Sequence, residues 1–213
     1  MAVGDIALLD TLDIDISAYA PHAAHHSGNV FVVLYATTGT GPVTIRTISV
    51  DALGNITPLD SWATGQDTYT QFIIHVAGDT FAFVYSDGAQ AGVIKTFSVA
   101  SDGTITKSFI ATHTFAAGGA AWVWVRCEPV SCGGNVWAIG CQNSPGILIF
   151  TINISDDGVT MSTADTQAYA ITQNKVMSMA NVIGDIYALV TEQIINSTTL
   201  YTFEISSGAI TAK

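Results

Sequence analysis

The 213-residue sequence predicts a single all-β domain of four tandem units of about fifty residues each, and three observations carry that expectation. A Gly followed by Asn or Asp opens an apolar run four times, at Gly28-Asn29, Gly78-Asp79, Gly134-Asn135 and Gly184-Asp185, with spacings of 50, 56 and 50 residues. A second marker follows each of these about 25 residues later, at Gly54, Gly103, Gly158 and Gly208, and has a fifth copy at Gly4-Asp5-Ile6. Finally, Val, Ile, Phe, Tyr and Thr fill the runs, and no stretch carries the 3.6-residue period of an amphipathic helix.

Each unit reads as four strands. In the second unit they span residues 70–76, 80–85, 93–99 and 104–112, cut at Gly78-Asp79, Asp87-Gly88 and Asp102-Gly103, residue pairs that tolerate the backbone angles of tight turns. The second strand of a unit is apolar at consecutive positions, as in Val30-Phe31-Val32-Val33-Leu34-Tyr35 and Val136-Trp137-Ala138-Ile139. A sheet with one wet face would alternate, so both faces of these strands must be covered. Four-stranded sheets packed face to face around an axis cover their middle strands in this way, which predicts a four-bladed β-propeller of antiparallel blades.

The blades are expected at residues 17–66, 67–117, 118–170 and 171–213. In the last, three strands lie near residues 175–183, 185–191 and 199–206, and the fourth is only beginning at Lys213. Residues 1–16, which hold the orphan copy of the second marker, are expected to supply that strand, complete the last blade and close the ring, so removing an open sheet edge.

The stretch Phe72-Ile73-Ile74-His75-Val76-Ala77-Gly78-Asp79-Thr80-Phe81-Ala82-Phe83-Val84-Tyr85, followed by Gly92 to Val99 and Ser101-Asp102-Gly103-Thr104-Ile105, resembles propeller repeats of large surface and secreted proteins of environmental microbes. That resemblance implies a propeller in an extracellular or cell- or virion-surface setting, and it carries no catalytic motif. The Trp-Asp signature of one propeller class and the paired Gly of Kelch repeats are both missing from the sequence.

Composition narrows the partners. Charged residues make up 11%, and six basic against seventeen acidic residues give a formal charge of −11. Phosphate binding needs a basic footprint that this sequence lacks, so nucleic acid is not an expected partner. No apolar run approaches the roughly 18 residues of a membrane-spanning helix, so no membrane insertion is expected. Cys127, Cys132 and Cys141 are odd in number and out of register for a bridge across the Gly134 turn, and are expected as buried free thiols rather than a disulfide or a zinc site.

Searches for chemistry give little. The sequence has no G-x-S-x-G elbow, no phosphate-binding Gly loop with its Lys and no H-E-x-x-H, so no catalytic residue and no cofactor are expected. His22 or His26 and His75 could share a channel lined by inner strands, with His25 and His113 nearby in sequence or strand order, but the other units offer no matching ligands and no metal is expected. Asp13 and Asp15 share one face of the closing strand and read as solvated carboxylates, and Asp156-Asp157-Gly158 reads as a turn. Trp122 and Trp124 share a strand face and are followed by Arg126 and Glu128, so Trp122, Trp124 and Arg126 form the candidate ligand-binding set, suited to a sugar or a partner surface.

Three functions follow in order of expectation. The first is a non-catalytic structural or protein-interaction module, a subunit of an extracellular or virion-type assembly, with protein partners or self-assembly and no enzyme activity. A carbohydrate-binding, lectin-like propeller with a glycan ligand comes second, and a hydrolase with its site at the mouth of the propeller channel third.

Overall fold

The computed structural model describes residues 10–13, 18–118, 123–143, 146–170, 174–193 and 197–213, and contains strands, turns and no helix among them. Unit one is built from β1 (Tyr19–Ser27), β2 (Val30–Ala36), β3 (Pro42–Val50) and the first half of β4 (Ile56–Ala77). Unit two takes the second half of β4 with β5 (Thr80–Asp87), β6 (Gly92–Ser98) and β7 (Ala111–Ala116). Unit three holds β8 (Val123–Val125), β9 (Val130–Ser131), β10 (Val136–Asn143), β11 (Gly146–Ile154) and β12 (Met161–Ala170). Unit four holds β13 (Asn174–Ile183), β14 (Ile186–Gln193), β15 (Ser197–Ser206) and β16 (Ala209–Ala212). Every pairing is antiparallel, and neighbouring strands follow chain order.

The turn signals fall where the sequence places them. Gly28, Gly78, Gly134 and Gly184 take φ between 50° and 56° at the first position of two-residue turns, where a II′ hairpin needs a positive angle. The apolar second strands of units one to three are sandwiched as expected, with Leu34, Phe83 and Ile139 fully buried, whereas β14 of unit four is covered on one face only, with Leu189 buried and Val190 40% exposed.

Three apolar cores lie between successive units rather than inside any one of them. Val32, Leu34 and Ile45 of unit one meet Phe81, Phe83 and Phe97 of unit two. Ala82, Val84 and Ile94 of unit two meet Val125, Ile139 and Cys141 of unit three. Ala138, Ile147 and Ile149 of unit three meet Tyr187, Leu189 and Phe203 of unit four. The sheets of units two and three thus each give one face to the preceding unit and the other to the following one.

A repeated polar latch fixes the spacing of these faces. The buried hydroxyl of Thr47 donates to the carbonyl of Gly103 at 2.6 Å, that of Thr96 to Gly158 at 2.7 Å, and that of Thr151 to Gly208. Carboxylates on the outer strands add a second tie, with Asp60 accepting the amide of Ile105 at 3.0 Å and Asp165 that of Ile210 at 2.8 Å.

Units one and two are joined through β4, which runs unbroken and pairs β3 as far as Asp67 and β5 from Thr68 onward. The fourth strand of unit two differs from the expected 104–112: Ile105 makes only an isolated bridge with Val99, and the ladder with β6 resumes in β7 at Ala111. Unit four itself begins a fourth strand, with β16 pairing β15 from Phe203↔Ala212 to Ser206↔Ala209, at the blade that the amino-terminal segment is expected to complete. Of that expected closing strand, residues 1–9 and 14–16 lie outside the described residues. Asp10 lies against unit one, where its carboxylate accepts the amide of Ile56 at 2.8 Å, as Asp60 and Asp165 do one unit further on.

Candidate functional site

The inner strands of units one, two and three begin side by side, and a cleft of about 460 Å³ opens between those beginnings. Its walls come from Tyr19 to His22 on β1, Tyr69 to Phe72 on β4, and Val125 with Arg126 at the end of β8. Strand register makes His22, Phe72 and Arg126 equivalent, since they face Leu34, Val84 and Gly140, each six residues beyond its unit's turn Gly. Three structurally matched positions therefore carry an imidazole, a phenyl ring and a guanidinium around one opening.

The β1 wall is irregular. A bulge separates Tyr19 from His22, and Ala20 within it takes φ 46°, an uncommon and strained angle for a residue with a side chain. This turns the carbonyls of Tyr19 and Ala20 towards the buried Gln71, whose Nε2 donates to them at 3.2 and 3.3 Å. The Gln71 amide is oriented in turn by the hydroxyl of Thr68, which donates to its Oε1.

His22 bridges the units. Its Nδ1 accepts the Ile73 amide at 3.3 Å, which assigns the proton of the neutral ring to Nε2, and Nε2 lies 3.5 Å from Oε1 of Glu128. The Phe72 ring meets His22 edge-on, with centroids 5.3 Å apart. Glu128 reaches this place because the inner strand of unit three is broken between β8 and β9, and its side chain is 66% exposed, open to exchange protons with water.

Arg126 is the permanent cation among the residues lining the cleft. Its Nε donates to Oε1 of the buried Gln142 at 2.9 Å and its guanidinium carbon lies 4.3 Å from the centre of the Trp124 ring. Tyr69 stacks on the other ring neighbour, with a Tyr69–Trp124 centroid distance of 6.4 Å. Burial pulls the Arg126 guanidinium below its usual value, an effect partly opposed by Tyr19, and the group stays charged at neutral pH.

Of the expected ligand set, Arg126 lines this cleft, Trp124 packs behind it against Arg126 and Tyr69, and Trp122 lies outside the described residues. Asp15 does too, and Asp13 is exposed on the amino-terminal segment. Asp157 closes its own turn, accepting from Ser155 and Val159. His25 and His75 do a structural job: each donates through Nε2 to its turn carbonyl, Gly28 at 3.1 Å and Gly78 at 2.7 Å, and Asn181 does the same to Gly184. His26 is buried against His75 and Phe81, and no group of three or more His, Cys, Asp or Glu among the described residues could hold a metal ion. Tyr19, Tyr69 and Gln71 were not singled out by sequence, although the fifty-residue spacing of the two tyrosines at the start of inner strands is a signal that could have found them.

No family model and no curated protein sequence matches the chain. Solved structures do. A protein of Bacteroides uniformis provisionally assigned as a 6-phosphogluconolactonase superposes with a TM-score of 0.61 at 15% identity, over 90% of this chain and 55% of that one. A Lactobacillus plantarum protein gives 0.59 at 14% identity, over 87% and 53%. The periplasmic gluconolactonase of Pseudomonas aeruginosa gives 0.51 at 12% identity, over 96% and 73%. The fold is propeller-like. The chain spans about half the length of the first two of these structures.

These findings correct the leading functional expectation. A non-catalytic module with no enzyme activity was expected because no sequence motif marks a site, yet two of the three similar structures are named as lactonases, which are hydrolases. The cleft shows why the sequence was silent: its polar groups come one or two at a time from three units. No helix among the described residues is long and apolar enough to cross a membrane.

Proposed function

We propose that the chain is a hydrolase acting on a lactone or ester of a sugar-derived acid, with its site in the cleft at the ends of the inner strands. The observation that carries this is the His22–Glu128 pair, 3.5 Å apart, at a cleft whose lining includes Arg126. The names of the similar propellers support the substrate class.

The chemistry follows from the assigned protons. His22 presents Nε2–H to Glu128, so the imidazole holds the carboxylate and Glu128 is the base. Glu128 takes a proton from water as the water oxygen bonds to the carbonyl carbon. The resulting oxyanion is stabilised by the Arg126 guanidinium, a donor backed by the Trp124 ring in a cleft that Phe72 also lines. The intermediate then collapses, the ring carbon–oxygen bond breaks, and the proton on Glu128 passes to the departing alkoxide, leaving the free hydroxy acid. Tyr19 and Tyr69 offer aromatic surface for the sugar face, and the Thr70 side chain offers a polar partner for its hydroxyls.

The test is the release of acid from δ-gluconolactone and from its 6-phosphate, followed against the uncatalysed rate at mildly acidic pH. Turnover of either by the purified chain supports the reading. Arg126→Met should then raise KM more for the phosphorylated substrate, since a cation is lost from a chain of net charge −11. No rate above background with either lactone, or with a panel of sugar esters, overturns it.

A further inference from the structure

We propose that the outward face of unit four docks onto unit one of a second copy of this chain, so that two chains close head to tail into one ring. Register identifies the face. Thr202 is the fourth member of the latch set, lying opposite Ala188 as Thr47, Thr96 and Thr151 lie opposite Val32, Ala82 and Ala138. Leu200 in the same way matches Ile45, Ile94 and Ile149, and Val190 matches Leu34 and Val84.

Burial at these positions differs sharply between the units. Ile45, Ile94 and Ile149 are completely covered by the next unit, while Leu200 is 62% exposed. Thr47, Thr96 and Thr151 are likewise buried and their hydroxyls bonded, while Thr202 is exposed. Val190 and Val182 complete an apolar face that three equivalent faces in the same chain use to bind a unit of this repeat.

The complementary half lies on unit one. Gly54, at φ 88°, repeats the conformation of Gly103 and Gly208, whose carbonyls accept the latch, and its carbonyl accepts no side-chain hydrogen bond from a described residue. On the same side of unit one, Phe31 and Ile48 are half-buried, where the equivalent Phe81 and Phe97 are fully covered by the preceding unit, while Val33 and Tyr35 beside them are already covered. The match is therefore between a latch donor without its acceptor and an acceptor without its donor.

One feature favours a second copy over closure within one chain: the exposed Leu200 and Val190 show that unit one of the same chain does not cover unit four. Two heterologous contacts related by a twofold axis close such a dimer and leave no free edge.

Sedimentation velocity over a concentration series tests this with the 213-residue chain, whose mass is 22.3 kDa. The wild type should reach twice that mass. Leu200→Glu and Ile48→Glu, checked for an unchanged β circular-dichroism spectrum, should each raise the dissociation midpoint about tenfold or more. Mixing the two variants should restore a dimer, because one of the two contacts is then intact. Thr44→Glu replaces Ile48→Glu if the latter unfolds, since Thr44 lies on the same side of unit one. A wild type that stays monomeric overturns the proposal, as does a dimer that Leu200→Glu weakens while both unit-one variants leave it unchanged.

Discussion

The Thr96 hydroxyl donates to the carbonyl of Gly158, 2.7 Å away and 62 residues further along the chain, and accepts the amide of Ala111 at 3.2 Å. One buried oxygen thus ties unit two to unit three and starts strand β7. Thr96→Val keeps the shape of the side chain and strands both partners, so it should cost about 1–3 kcal/mol. At about 2–4 °C per kcal/mol for a chain of this size, calorimetry should show a loss of roughly 2–12 °C in Tm. Thr202→Val, at the exposed equivalent position, should stay within about 0.5 kcal/mol in the monomer. Equal losses at both sites would contradict the role given to the latch.

Gly103 supplies the carbonyl for Thr47 while at φ 89°, and an added Cβ would clash with Cδ1 of Leu59. Gly103→Ala should therefore destabilise by about 1–3 kcal/mol, part from the left-handed angle and part from the contact. Combining it with Leu59→Ala should recover only the contact part, as read by denaturant midpoints. Full recovery would mean that the backbone angle costs nothing.

Asp60 carries a pH dependence. The Lys107 ammonium at 2.8 Å and then the Ile105 amide hold its carboxyl below the usual carboxylate value of 3.8. A depressed folded value means that the stabilisation is present above the unfolded value and is lost as pH falls through the folded one. Stability of the wild type should thus fall below about pH 4, and Asp60→Asn should flatten that part of the acid limb. The same acid limb in both proteins would contradict the tie between units one and two.

Much of the architecture could be read before any coordinates. The four turn glycines and the doubly apolar second strands mark the units because each leaves a local trace: a required backbone angle, or an uninterrupted apolar run. The latch left none, since Thr47, Thr96 and Thr151 are unremarkable in a Thr-rich chain until register shows them to be equivalent. The site was half legible. Trp124 and Arg126 stood out as an aromatic beside a rare cation, and Glu128 followed them. That Glu128 meets His22, 106 residues away, depends on the break between β8 and β9, which no periodicity announces.

The thiols test the packing of unit three. Burial pushes Cys127 up to about 12 and Cys141 well above the usual value, and raises the half-buried Cys132 as well. At pH 8 a thiol reagent should leave Cys127 and Cys141 untouched in the native protein, with slow reaction confined to Cys132, and should find all three after denaturation. Rapid labelling of Cys141 would place solvent in the core between units two and three.

Glu128→Gln gives the most direct test of the chemistry, because it keeps the side-chain shape and its reach to His22 while removing the base. Initial rates of lactone hydrolysis should fall about 10²–10⁴-fold in kcat with KM little changed. A Glu128→Gln protein that hydrolyses the lactone as fast as the wild type would contradict the assignment of this cleft as the site of catalysis.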